Sequence, residues 1–90
     1  MSDENPRENF EYFSNEYAQA LQAYSAIEQQ AATLLLMGAS DDLRTFIDQF
    51  VAMAGAARDL ALEKGEANFA EWFSELVAKA ERLRTGVPKS

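Results

Sequence analysis

Residues 34–43 read LLLMGASDDL, and this segment predicts the point at which one helix ends and another begins. Gly38 can adopt the left-handed backbone conformation that closes many helices, and the Ser40 hydroxyl can accept a hydrogen bond from the free amides of a following helix. Asp41 and Asp42 would then lie in the first turn, where negative charge stabilises a helix N-terminus. The chain is therefore expected to fold back here as a tight helical hairpin.

Upstream of this turn, apolar residues separated by alternating steps of three and four predict a long first helix over residues 6–37. The stripe comprises Phe10, Phe13, Tyr17, Ala20, Tyr24, Ile27, Ala31 and Leu34. Asn5 followed by Pro6 is typical of a helix start. Ser14 and Asn15 could instead divide this segment into two helices, because both side chains compete for backbone hydrogen bonds.

Downstream of the turn, the same spacing predicts a second helix over residues 41–64 and a third over residues 68–84. The second stripe comprises Leu43, Phe46, Ile47, Phe50, Met53, Ala54, Ala57, Leu60 and Ala61, and the third comprises Phe69, Trp72, Phe73, Leu76, Val77, Ala80 and Leu83. Gly65 is expected to end the second helix, and Asn68 to cap the third.

Three helices joined by short connections predict an all-α fold, an antiparallel three-helix bundle made of a long hairpin and a shorter third helix. We expect a single domain over residues 1–90, with flexible tails at residues 1–5 and 85–90. Gly55 lies inside the second helix, where glycine costs about 1 kcal/mol relative to alanine. It therefore predicts a close approach by another backbone, that of the first helix rather than that of a partner.

The helix lengths predict which end of the bundle is exposed. At 1.5 Å per residue, the third helix should stop roughly 12 Å short of the Gly38 turn. Uncovered apolar surface on a small domain usually marks an interaction site. We therefore expect this hairpin-turn end to bind a partner protein or a second copy of the chain, with a homodimer completing a larger bundle. The predicted contact residues are Leu34, Leu35, Leu36, Met37, Leu43, Phe46 and Ile47. Alternatively, the third helix could tilt and bury them within one chain.

Composition argues against several classes of function. The chain contains neither histidine nor cysteine, the side chains most often used for acid–base catalysis, thiol chemistry and transition-metal binding. We therefore expect no enzymatic activity, no cofactor and no metal. A net charge of -7 opposes binding to nucleic acid phosphates. No apolar run approaches the ~20 residues of a membrane span.

These features together predict a small, acidic, non-enzymatic protein–protein interaction or regulatory module. The N-terminus lacks the basic and apolar regions of a secretory signal, so a cytoplasmic location is expected. One alternative is a helical carrier of an apolar small ligand, lined by Phe10, Phe13, Tyr17, Tyr24, Phe50 and Phe73. Another is an acidic inhibitor or immunity-type protein that occupies a basic site on its target, with binding that weakens steeply as salt increases.

Overall fold

A computed structural model describes residues 6–87 and contains three α-helices. They are α1 (Pro6–Leu36), α2 (Ser40–Glu63) and α3 (Ala67–Thr85). No strand occurs within residues 6–87. The three helices pack side by side as a bundle, a rod with principal extents of 55 × 17 × 16 Å. The predicted all-α three-helix architecture is confirmed.

The first helix is continuous through Ser14 and Asn15, so the alternative of two shorter helices does not occur. Packing on both sides of this pair explains the result: the rings of Phe13 and Tyr17 each contact aromatic rings of α3. Such tertiary contacts outweigh a weak local preference against helix. Pro6 begins α1 as predicted, whereas the expected cap at residue 5 lies outside the described residues.

Both helix-to-helix connections are built on a glycine in the left-handed conformation, with φ of 75° at Gly38 and 76° at Gly65. After α1, the Ala39 amide donates to the Leu34 carbonyl at 2.8 Å and the Gly38 amide donates to the Leu35 carbonyl at 3.1 Å. This pair of bonds is the Schellman motif, and the same pair closes α2 at Gly65. The predicted C-terminal glycines are therefore correct, and each turn sends the next helix back antiparallel to the previous one.

The predicted N-cap residues are wrong at both turns. Ala39 precedes α2 and Glu66 precedes α3, and neither makes a side-chain capping hydrogen bond. Ser40 is already the first residue of α2, and Asn68 is the second residue of α3. The cause is the compact turn, because the residue that completes each Schellman motif is also the N-cap of the next helix. Each helix therefore begins one or two residues earlier than the predicted cap allows.

The buried core is concentrated on α2 and α3. Its members are Phe13 and Ala20 from α1, Leu43, Ile47, Phe50, Ala54 and Ala61 from α2, Phe69, Ala70, Phe73, Leu76, Val77 and Ala80 from α3, and Val87 after α3. The longest helix thus contributes only two fully buried side chains, while the shortest contributes six. The first helix therefore keeps most of its surface exposed to solvent.

A cluster of aromatic rings joins α1 to α3 and aligns the two helices in parallel. Phe13 contacts Phe69, with ring centroids 5.9 Å apart, and Tyr17 contacts both Trp72 at 5.5 Å and Phe73 at 5.6 Å. Edge-on and tilted arrangements at these distances are favourable because of the quadrupoles of the rings. The aromatic residues predicted to line a ligand cavity, Phe10, Phe13, Tyr17, Tyr24, Phe50 and Phe73, all make such ring contacts.

No other helix backbone approaches Gly55. A Cβ atom built at this position would meet only the Arg58 guanidinium, at 3.9 Å. The expected close contact with α1 is therefore wrong. The reason is the orientation of α2: Tyr24 of α1 contacts Phe50, and Gly55 lies about 140° around the helix from Phe50.

Replacing Gly55 by alanine is expected to raise the free energy of unfolding by about 0.5–1 kcal/mol, because alanine removes the entropic cost of a helical glycine without a clash. Urea denaturation followed by circular dichroism measures the change. The neighbouring exposed residue provides the reverse control, since Ala56→Gly should lower stability by a similar amount. A destabilised Gly55→Ala variant would contradict the open space seen beside this residue.

Candidate interaction surface

The third helix ends before the Gly38 turn, as predicted, but by a smaller distance. It has 19 residues against 24 in α2, a difference of about 7.5 Å rather than 12 Å. The helix is longer than expected because it begins at Ala67 and continues to Thr85. An ion pair marks the level reached by its last turn: Arg84 Nε lies 2.7 Å from the Asp48 carboxylate in the third turn of α2.

The chain continues along α2 beyond the end of α3. The Val87 amide donates to the Arg84 carbonyl at 3.0 Å, and the Val87 side chain is only 6% exposed. Val87 and Arg84 line a shallow depression together with Arg44 of α2. Residues 85–87 are therefore part of the packed bundle rather than a tail. Residues 1–5 and 88–90, the rest of the expected tails, lie outside the described residues.

The seven residues predicted at the turn end divide into buried, partly buried and exposed groups. Leu43 and Ile47 are completely buried in the core, contrary to a surface role, because α3 and Val87 extend farther along α2 than expected. Leu34 is partly buried against the core. The exposed members are Leu35 at 39%, Leu36 at 89%, Met37 at 73% and Phe46 at 42%, and we refer to these four as the turn-end patch.

A second apolar surface, which the sequence analysis did not identify, is a groove between α1 and α2. It has a volume of about 340 Å³ and is lined by Ala23, Ala26, Ile27 and Gln30 of α1 and by Phe46, Gln49, Phe50 and Met53 of α2. We call it the α1–α2 groove. On each helix the four residues follow the spacing i, i+3, i+4, i+7, so each wall is one face of a helix. Phe46 belongs to both the groove and the turn-end patch, which makes the two surfaces adjacent.

The sequence does indicate this groove, through the sizes of the side chains that face each other on α1 and α2. Phe46 and Met53 belong to the apolar stripe of α2, but the facing positions on α1 are occupied by Ala23 and Ala26. Alanine side chains are too small to cover these large residues, which remain 42% and 44% exposed. Periodicity alone treats alanine as apolar and therefore does not reveal the unfilled volume.

A further depression lies between the same two helices near the start of α1. It is lined by Glu8, Asn9, Tyr12 and Phe13 of α1, by Leu60 of α2, and by Lys64, the residue that follows α2. Tyr12 is separated from Ala23 by three helical turns, about 11 residues, so both lie on the same face of α1. The α1–α2 side of the rod thus carries two concave surfaces, one near the start of α1 and one beside residues 23–30, whereas α3 packs on the other side of the hairpin.

The charged groups lie on the surface. Within residues 6–87, the core contains no polar or charged residue, and no acidic cluster has an arrangement that could hold a metal ion. Burial raises the pKa of the Tyr24 phenol above its ordinary value, the nearby Glu28 carboxylate raises it further, and Arg82 opposes the shift. Since the phenol already ionises well above neutral pH, this shift keeps Tyr24 neutral under physiological conditions.

Comparison of the chain with protein-family models, with curated proteins and with solved structures gives no match. None of the helices described within residues 6–87 combines the length and the apolar character required to span a bilayer.

Proposed function

We propose that this chain is a small non-enzymatic protein–protein interaction module that binds a partner, or a second copy of itself, through the turn-end patch. The observation that carries the proposal is the exposure of four large apolar side chains in and near the hairpin turn: Leu36 at 89%, Met37 at 73%, Phe46 at 42% and Leu35 at 39%. Each large apolar side chain contributes about 1.5–3 kcal/mol when it is fully buried. These residues therefore offer a concentrated source of binding energy.

The rigidity of the turn supports this role. Gly38 is held by the Schellman hydrogen bonds, and the first turn of α2 follows directly after Ala39. A patch presented on such a turn loses little conformational freedom on binding, which lowers the entropic cost of association. Asp41 and Asp42 lie beside the patch and are exposed, so an apolar centre is bordered by charge. Interfaces commonly combine an apolar centre with a polar rim.

Self-association by this surface predicts a specific effect of Leu36→Glu. The substitution should leave the fold intact, because Leu36 is almost fully exposed. It should weaken dimerisation by about 100- to 10,000-fold, since both copies in a symmetric dimer lose the burial of Leu36, each loss corresponding to about one to two factors of ten. Size-exclusion chromatography with light scattering at tens of micromolar protein measures the oligomeric state. Leu62→Glu is the matched control, because Leu62 is an exposed leucine at the opposite end of α2.

A wild-type protein that is monomeric in this experiment removes the self-association version and leaves a heterologous partner. The partner version predicts that cross-linking in cells of the natural host captures the same protein with the wild type and with Leu62→Glu, but not with Leu36→Glu. Equal capture by both glutamate variants would contradict the role of the turn-end patch.

A further inference from the structure

We propose that the α1–α2 groove receives a single amphipathic helix of a partner protein, with an apolar face and with basic residues along its flanks. This inference rests on the proposed function, because the groove shares Phe46 with the turn-end patch. It adds the chemical class of the partner and the surface that recognises it. The shape, the length and the charge of this side of the rod all match such a helix.

The shape of the groove matches a helix. Two antiparallel helices form its walls, Phe50 is its one buried residue, and Ala23 and Ile27 are half-buried, so these three residues form its floor. Ala23 and Ala26 allow a third backbone to approach closely, within the 8–10 Å that is usual for packed helices. A strand would require free backbone groups for pairing, and residues 6–87 offer no sheet edge to supply them. A helix with apolar residues at i, i+3, i+4 and i+7 would place them between Phe46 and Met53.

The length of this side of the rod accommodates a helix of ordinary size. The α1–α2 groove and the depression at Tyr12 lie between the same helices, and their α1 residues extend from Glu8 to Gln30. This span is about 33 Å at 1.5 Å per residue, the length of a helix of about 22 residues. A partner helix can therefore bury several turns along this surface.

The charge of this side is predominantly negative outside its neutral centre. Glu8 lines the depression at the start of α1, and Glu16, which is half-buried, lies one helical turn from Tyr12 on the same face. Asp42 lies one turn from Phe46 on α2 and is exposed. Lys64 is the cation that lines this side, at its far end. Of the other described cations, Arg7 pairs with Glu11 at the start of α1 and Arg58 pairs with Asp59 on α2. Arg44 and Arg84 line the depression beside Val87, and Lys79 and Arg82 lie on α3.

This distribution favours a basic helix over a second copy of the chain. A positively charged partner lying along this side of the rod would be attracted to Glu8, Glu16 and Asp42, which raises the rate of association and selects against acidic helices. A second copy carries the same net charge of -7, so the approach of two such molecules is opposed by their charge.

Two labelled synthetic peptides of about 20 residues test the proposal by fluorescence anisotropy. Both carry leucine at i, i+3, i+4 and i+7 repeats, and they differ only in having lysine or glutamate at the remaining positions. We expect the lysine peptide to bind the wild type with a dissociation constant on the order of micromolar, and the glutamate peptide to bind at least about 10-fold more weakly.

A matched pair of variants locates the binding. Ala26→Lys places a cation in the groove, whereas Ala18→Lys makes the same change on another face of α1, and both alanines are exposed. Ala26→Lys should weaken binding of the lysine peptide at least about 10-fold, while Ala18→Lys should change it by no more than about 3-fold. Circular dichroism verifies that both variants retain the wild-type fold.

Three results of the peptide and oligomer measurements would overturn the inference, and a fourth comes from partner capture. The three are equal affinities for the lysine and glutamate peptides, equal affinities of the two alanine variants, and a wild-type dimer that Ala26→Lys dissociates, which would assign the groove to a second copy. The proposed function is tested separately, by whether Leu36→Glu loses association. Loss of partner capture by Leu36→Glu but not by Ala26→Lys would preserve the turn-end patch and reject the helix-binding groove.

Discussion

Replacing Phe73 by alanine should lower the free energy of unfolding by about 3–5 kcal/mol, the usual cost of removing a buried phenylalanine. Phe73 is completely buried and contacts the Tyr17 ring edge-on at 5.6 Å. The substitution would leave a cavity between α1 and α3, and it would remove one of the few contacts that hold α1 on the bundle. Domains of this size are stable by roughly 5–15 kcal/mol, so the loss is a large part of the total.

Urea denaturation monitored by far-ultraviolet circular dichroism measures this effect, with Phe10→Ala as the control. Phe10 also contacts an α3 ring, that of Phe69, but it is 58% exposed. The control should cost less than half as much, because less apolar area leaves water when Phe10 packs. Equal losses for the two variants would mean that the ring cluster between α1 and α3 is not packed as described.

Ile47→Ala should lower the free energy of unfolding by about 2–5 kcal/mol, whereas Phe46→Ala should lower it by less than about 1 kcal/mol. The two residues are adjacent in sequence, but Ile47 is completely buried and Phe46 is 42% exposed at the junction of the turn-end patch and the groove. Thermal and urea denaturation of both variants checks the difference.

For partner binding, the two substitutions should rank in the opposite order, with Phe46→Ala having the larger effect. Phe46→Ala should weaken association with a partner more than any variant that only alters the core, because the Phe46 side chain is available at the surface. A large loss of stability in Phe46→Ala together with a small loss in Ile47→Ala would reverse the orientation assigned to α2. It would also mean that Ile47 lies at the surface, as the sequence analysis predicted.

The amino-acid sequence by itself determined the number, the order and the approximate limits of the helices. These properties depend on interactions between residues close together in the chain. Apolar side chains at helical spacing predict a helix wherever they recur, and Gly38 and Gly65 end two of these helices because glycine adopts positive φ at little cost. Only the capping residues at Ser40 and Asn68 were misassigned, by one or two positions.

Tertiary structure decided which apolar side chains are covered. Periodicity places Phe46 and Ile47 on one apolar face of α2, but it does not say how far α3 and Val87 extend along that face. It also cannot show that small residues of α1 leave a groove opposite Phe46, or that Gly55 faces away from α1. Coverage depends on the lengths, rotations and spacing of helices that are distant in sequence. The candidate interaction surface consists of the apolar side chains that remain exposed after these long-range contacts form.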